Sequence, residues 1–537
     1  MISVFLFLDC LNSEKQVVND IIIYKMSRKD KTIINIFKVL LLSLLLLGCF
    51  SCADNSRKHQ YESISDLADK NIGVKVGTIY AEIISEIMPD AKILYFNNLT
   101  DQLTALKAGK IDAFPISKMV ISTYLHEDEQ LAIIDEPFGH IEVGYIFPKN
   151  ENGLKLKNQM DEFINELDKQ GTLNEIKNIW QGNDESVKNV LDYTSLNGPN
   201  GTLRFATEGT FPPNDYYRNG ELIGYDVDIA YRFARAYGYS IEPYTMDFDA
   251  LIPSLESGKC DFAGSDIAIT EERAESVYFS VPNLNDDLIF VVYDVDGGNS
   301  SFVDRIANSF RRTFIEENRY LYFLQGIATT ILITISAIVF GTILGFAIYL
   351  LYHNGNALIR KILDLLVWLI EGLPIVVLLM ILYYVILGKT RISALSVSII
   401  AFSLTFSCSV FGNIKTGVKA IDDKQLEAAY ALGINDRQAF FDIILPQAAR
   451  IFLPGYKGNI SALIKATAVV GYITVQDLTK MSDIVRSRTY EAFFPLIAVA
   501  IIYFALAAIM ICIVNKITLY TDPKLRTKQQ ITRGIKL

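Results

Sequence analysis

The chain has 537 residues, of which 51% are hydrophobic and 20% charged, and it carries a formal net charge of −10. That length exceeds one ordinary domain, and the acidic balance argues against nucleic acid as a partner. Six cysteines without paired metal-ligand spacing, and four scattered histidines, give no sign of a disulfide framework, a zinc site or a histidine-based catalytic centre.

The first element in chain order is an export signal. Residues 1–25 precede a second methionine and read as a start assigned too early. Met26 opens "MSRKDKTIINIFKVLLLSLLLLGCFSC", with basic Arg28, Lys29 and Lys31, an apolar stretch, and a small residue before Cys49. The segment 26–49 resembles a bacterial lipoprotein signal, which implies cleavage before Cys49 and lipid on it. A retained membrane anchor over 33–50 is the other reading.

Residues 60–295 read as soluble α/β. Short β-branched runs such as "NIGVKVGT" and "LRFATEGT" alternate with helical patterns such as "MDEFINELDKQGTLNEIKNIW". A polar stretch at 184–199 reads as a linker, and 302–319 as an amphipathic segment ahead of the membrane. From Tyr320 the pattern changes. Residues 320–352 hold no Asp, Glu, Lys or Arg, which is more than the roughly 20 residues that cross a bilayer. Similar runs at 365–388, 392–414, 451–476 and 492–515 make five expected spans, the fourth interrupted by Lys457 and Lys465. With the soluble half outside, the expected inner loops carry 13 Lys/Arg against 9 in the outer ones. The tail 521–537 is then cytoplasmic.

One cytoplasmic loop, "EAAYALGINDRQAFFDIILP" at 427–446, is charged and amphipathic between oily neighbours. Glu427, Ala428, Ala429, Gly433, Ile443, Leu445 and Pro446 stand in register with the coupling loop of ATP-binding-cassette (ABC) importer permeases, which this segment resembles. Glycine tolerates the turn between two short helices, and the small face lets a helix seat closely on a partner. "LPQAAR" (445–450), Pro454 and "LIKATAVVG" (463–471) are similar to the polar amino-acid subfamily, whereas Glu371 and Leu373 depart from its usual pattern. The resemblance implies a type I permease over 320–520 with about five helices per subunit. It also implies a homodimer around one substrate path, and separate ABC ATPase subunits that hydrolyse ATP.

The soluble half resembles the bilobed amino-acid-binding proteins that serve such permeases, with the parts out of order. Residues 60–183 match the family's second lobe and returning helices, and 200–295 match its first lobe. Two arrangements remain open: one circularly permuted domain, or half-domains that pair across a dimer. The implied fold class is an α/β bilobed periplasmic-binding-protein fold followed by an all-α membrane domain.

The resemblance also implies the ligand contacts. Arg273 matches the arginine that grips the α-carboxylate, a bidentate role lysine does not copy. Phe211 and Phe248 match the aromatics that flank the ligand. Ser265 and Thr270 lie on the loop that meets it, and Thr78 would contribute from the other lobe. Glu208 matches a contact to the ligand side chain. Where the family places an ammonium-binding aspartate, this chain has Ser117, and Asp266 stands where a serine or glycine is usual; the acid has moved between lobes on this reading. No cofactor is expected. The implied location is the bacterial plasma membrane, multi-pass, with the binding domain outside and the C-terminus in the cytoplasm.

A ligand-gated ion channel is the competing class, since such receptors join the same binding fold to membrane spans. "VVGYITV" (469–475) is similar to a potassium filter but places Ile473 where a filter needs glycine. No Walker A pattern is present, because "GNIKTGVKA" (412–420) lacks Gly-Lys-Ser/Thr.

Overall fold

The computed structural model describes residues 61–127, 130–182, 184–192, 194, 198–293, 302–388, 390, 392–489 and 493–521. The expected early start, the signal over 26–49, Cys49 and the tail beyond 521 lie outside these residues.

Two α/β lobes form the soluble half, and each draws strands from both of its sequence halves. The first lobe has a five-stranded sheet in the order β10-β6-β11-β5-β12, built from Ser240–Thr245, Thr202–Thr207, Phe262–Ala263, Ile146–Pro148 and Val277–Phe279. The second lobe pairs β1 (Asn71–Lys75) with β2 (Lys92–Phe96) in parallel. It also sets β13 (Leu284–Tyr293) between β3 (Phe114–Ser117) and β4 (Leu131–Val143). A bridge from Ile72 to Ala113 joins its two parts. Strand β13 thus belongs by sequence to 200–295 and by pairing to the lobe of 61–143. Both lobes are completed within one chain.

Two crossings connect them, at 143–146 and 280–284. Tyr145 N donates to Ser280 Oγ at 3.0 Å, and Asn283 N donates to Val143 O at 2.9 Å, so the crossings run side by side as a double hinge. The returning helix Glu151–Lys169 packs on the first lobe. Asn150 caps it, its side chain accepting from Gly153 N at 2.8 Å. Leu156, Met160, Phe163, Ile164 and Leu167, spaced by three or four, form its buried stripe. Trp180, fully buried at the end of the next helix, donates from Nε1 to Asp228 at 3.3 Å.

In the membrane half, three helices are long and apolar enough to cross a bilayer: Tyr320–Asn354, Ala394–Lys419 and Phe493–Asn515. Two further pairs bend sharply, Ala357–Gly372 with Ile375–Ile386 by 105° and Asp436–Ile473 with Leu478–Thr489 by 58°. Counting each bent pair as one span gives up to five. Tyr320–Asn354 packs tightly on Ala394–Lys419 through "GTILG": a Cβ on Gly341 would lie 2.9 Å from Ser403 O, and one on Gly345 only 2.6 Å from Ser407 O. The fourth expected span departs most from a straight helix. Leu445–Ala466 carries Pro454 inside, tightens to three-ten geometry over Thr467–Ile473, and breaks at Thr474 with φ 70°. The filter-like stretch at 469–475 is therefore coiled rather than extended.

The lobes rest on this half through partly buried polar contacts. Lys259 Nζ donates to Leu387 O at 2.8 Å, Gly220 N to the Tyr322 hydroxyl at 2.8 Å, and Gln476 Nε2 to the Tyr217 hydroxyl at 2.7 Å. Helix Leu478–Thr489 touches both lobes. Its Lys480 pairs with Asp247 of the first lobe at 2.8 Å, and its Arg486 pairs with Asp101 of the second.

Candidate functional site

The cleft between the lobes is closed to a cavity of about 20 Å³, room for a single water. Lys75, Thr78, Gln102 and Ile116 line it from the second lobe, and Phe211, Phe248, Ser265 and Asp266 from the first. Five of the nine expected residues thus line one cleft, Thr78, Phe211, Phe248, Ser265 and Asp266, and two more reach it through a partner, Ser117 through Asp266 and Glu208 through Lys75.

The centre is held by a residue the sequence reading missed. Strand β1 buries Ile72 and Val74 on its way to Lys75, which is 5% exposed. The Lys75 ammonium pairs with Glu208 and stands 4.6 Å from the Phe211 ring centroid and 4.5 Å from that of Phe248. Such a cation between two π faces is favourable when desolvated, and the carboxylate offsets the cost of burying it. The signal was available, since "NIGVKVG" interrupts an apolar strand with a lysine just before a turn. Only the facing rings, more than a hundred residues later, give that lysine a meaning.

Arg273 sits on the short helix Glu271–Ser276, whose cap Thr270 accepts from Arg273 N at 3.2 Å. Its guanidinium spans the lobes, donating from Nη1 to Ala268 O at 2.8 Å and from Nη2 to Gly77 O at 2.6 Å. The donors expected to grip a carboxylate are here satisfied by two carbonyls. Thr78 likewise uses its hydroxyl locally, donating to Lys75 O at 2.7 Å. Ser265 Oγ donates to Asp215 Oδ2 at 2.5 Å.

Asp266 faces Ser117 across the lobes, accepting from its hydroxyl at 3.5 Å through Oδ2. Its Oδ1 is buried with no hydrogen-bond partner among the described residues. Burial, with the charges of Asp226 and Asp286 adding, pushes the Asp266 carboxyl up to about 8. A buried acid with an idle oxygen and a raised pKa suits a cationic group arriving from outside.

The motif at 427–446 forms a second, separate surface. Helix Lys424–Ala431 buries Ala429 and exposes Glu427 and Ala428. Gly433 follows in the left-handed region at φ 76°, beside Leu432, which is 79% exposed. Asn435 then caps the next turn, accepting from Gln438 N at 2.9 Å, and the chain enters the membrane helix at Leu445 and Pro446.

Comparison with known proteins matches residues 203–432 to the bacterial extracellular solute-binding proteins, family 3. Over 194 residues the chain is 31% identical to a protein of Rickettsia bellii named as a glutamine transport system permease, covering 36% of this chain and 89% of that one. It is 33% identical over 192 residues to a Bacillus subtilis protein named as an amino-acid ABC transporter permease, covering 35% of this chain and 84% of that one. A B. subtilis arginine transport system permease is 31% identical over 191 residues, covering 35% of this chain and 87% of its own length.

Proposed function

Because the chain belongs to the amino-acid permease family of ABC importers and also carries a solute-binding domain, we propose that it performs capture and translocation in one polypeptide. The binding domain takes a polar amino acid outside the cell. The membrane half, paired with a second copy, passes it inward when a separate ATPase docks on the loop 427–446. The C-terminus then lies in the cytoplasm. The ion-channel alternative finds no support in the relatives and gives the coupling motif no role.

The observation that carries this reading is the convergence of residues from both lobes on one cleft, in a chain whose permease helix Leu478–Thr489 pairs with both lobes. In the proposed cycle the lobes part and Arg273 exchanges the Gly77 carbonyl for the ligand carboxylate. The α-ammonium meets Asp266, and the side chain enters between Phe211 and Phe248, near Lys75 and Glu208. That lysine and glutamate offer one donor group and one acceptor group, which complements a side-chain amide, as in the glutamine of one relative's name, better than a guanidinium, which has no acceptor for the lysine. The sheet pairing supports a circular permutation: β13 completes the sheet of β3 and β4, and β5 lies between β11 and β12, so each lobe takes strands from both sequence halves.

The test is reconstitution of the full chain with its ATPase in liposomes, and ATP-dependent uptake of labelled L-glutamine and L-arginine. Uptake of one of them, abolished by Arg273→Ala, is the expected result. Absence of uptake and of ligand-stimulated ATP hydrolysis across all amino acids would overturn the assignment.

A further inference from the structure

A second cavity, of about 250 Å³, lies between the cleft and the membrane half. One water in bulk occupies roughly 30 Å³, so this space admits a molecule of several heavy atoms. Three parts of the fold wall it: Asp101 from the second lobe, Glu208 and Asp247 from the first, and Lys480 and Arg486 from helix Leu478–Thr489.

Glu208 is the joint between the two spaces. Its Oε2 takes the Lys75 ammonium in the cleft, its Oε1 accepts from Thr210 Oγ1 at 3.3 Å, and the residue also lines the larger cavity. A molecule leaving the cleft toward the membrane half passes it. The Lys75 ammonium already shows what kind of group that carboxylate accepts.

The opposite wall carries two cations, Lys480 and Arg486, beside two acids, Asp477 and Asp483. Lys480 and Arg486 are each 6% exposed, and each leans on an acid of a different lobe. Lys480 pairs with Asp247 at 2.8 Å, and Arg486 pairs with Asp101 and with Asp483, the latter at 3.0 Å. The buried Nε of Arg486 has no hydrogen-bond partner among the described residues, while Nη1 and Nη2 are held by Asp483 and Asp101. A buried donor without an acceptor is destabilising, so a carboxylate that displaces Asp101 or Asp483 gains this Nε–H and a bidentate hold.

We propose that this cavity is a transit site for the free amino acid. Arg486 and Lys480 receive the α-carboxylate and Glu208 the α-ammonium, after the molecule leaves the cleft and before it enters the membrane half. The two ion pairs that tie Leu478–Thr489 to both lobes place this site in line with the cleft. The proposal rests on the amino-acid import described above, and its failure is separable from failure of that function.

The experiment uses the full chain bound to its ATPase in lipid nanodiscs, with labelled L-glutamine and L-arginine as probes. Arg273→Ala disables the cleft, and that chain should retain weaker binding of the transported probe. Adding Ala468→Trp, which fills the second cavity, should remove the residual binding by at least about tenfold. Adding Arg486→Lys instead keeps the charge without the fork and should weaken it about fivefold. With the cleft otherwise unchanged, Ala468→Trp should leave first-site affinity within about twofold while uptake falls about tenfold or more. No residual binding in the Arg273→Ala chain, or uptake at the parent rate with Ala468→Trp, overturns the transit site. If Ala468→Trp also disturbs the cleft, Arg486→Lys decides, and residual binding unaffected by it overturns the proposal. A parent chain that binds neither probe refutes the import function instead.

Discussion

Asp266 holds a left-handed backbone, φ 51°, a region that aspartate and asparagine tolerate better than most side chains. It is buried, with its carboxyl pushed up to about 8 by that burial and by Asp226 and Asp286. A ligand ammonium meeting it needs the carboxylate, so binding below that pH expels a proton. Amino-acid affinity should therefore fall as pH drops below about 8, approaching about tenfold per pH unit, and level off above it. Calorimetry across pH checks this, and the slope should vanish in Asp266→Asn. That variant should bind about 2–4 kcal/mol more weakly, and Ser117→Asp added to it should restore part of the loss. The raised folded-state pKa has a stability consequence as well. The fold holds the proton more tightly than the unfolded chain, so stability is greatest below the ordinary carboxyl range and is lost as pH rises toward 8. Without ligand, Asp266→Asn should melt above the parent at pH 8. Lys75 makes a companion case. Lys75→Met strands Glu208 in the closed cleft and should destabilise the binding domain by about 3–5 kcal/mol in denaturant titrations. Lys75→Met combined with Glu208→Leu should recover most of it.

At the scale of elements, the loop 427–446 depends on one backbone position. Gly433 sits at φ 76° with no atom within 4 Å of a would-be Cβ, so space is free and only conformation constrains it. Gly433→Val should cost about 1–2 kcal/mol locally and re-aim the exposed Glu427–Leu432 face. The expected result is lost uptake with uncoupled ATP hydrolysis and unchanged ligand binding. Gly433→Asn, which tolerates that region, should retain most uptake; equal loss in both variants would mean the turn is not the constraint. The same scale explains the bent spans. Composition marks 365–388 as apolar but does not show that Pro374 separates Ala357–Gly372 from Ile375–Ile386, which meet at 105°.

For the whole molecule, the pairing of β13 with β3 and β4, and of β5 with β11 and β12, means neither lobe closes without the other sequence half. Residues 61–293 expressed alone should fold cooperatively and bind the amino acid, since both sheets are complete within them. Residues 200–293 alone lack β1–β5 and the helix Glu151–Lys169, and should show no cooperative unfolding transition by circular dichroism. A folded 200–293 fragment would mean that the lobes are built differently.

What the sequence determined by itself was whatever is written in local order. The coupling segment stands in register over 427–446, apolar runs long enough for a bilayer mark the membrane half, and alternating β and helical patterns mark the soluble half. Phe211, Phe248, Ser265, Asp266 and Thr78, which line the cleft, could be picked out because their motifs are short and contiguous. Tertiary structure alone decided which partners meet. Lys75 reaches Glu208 across 133 residues, and Ser117 faces Asp266 across 149. Arg273 spends its donors on Gly77 and Ala268 carbonyls, and Lys480 and Arg486 reach back to opposite lobes. Chain order is blind to these contacts, because closing a loop of that length costs an entropy that grows only with the logarithm of its length. Burial and charge pairing in the folded state select the partner.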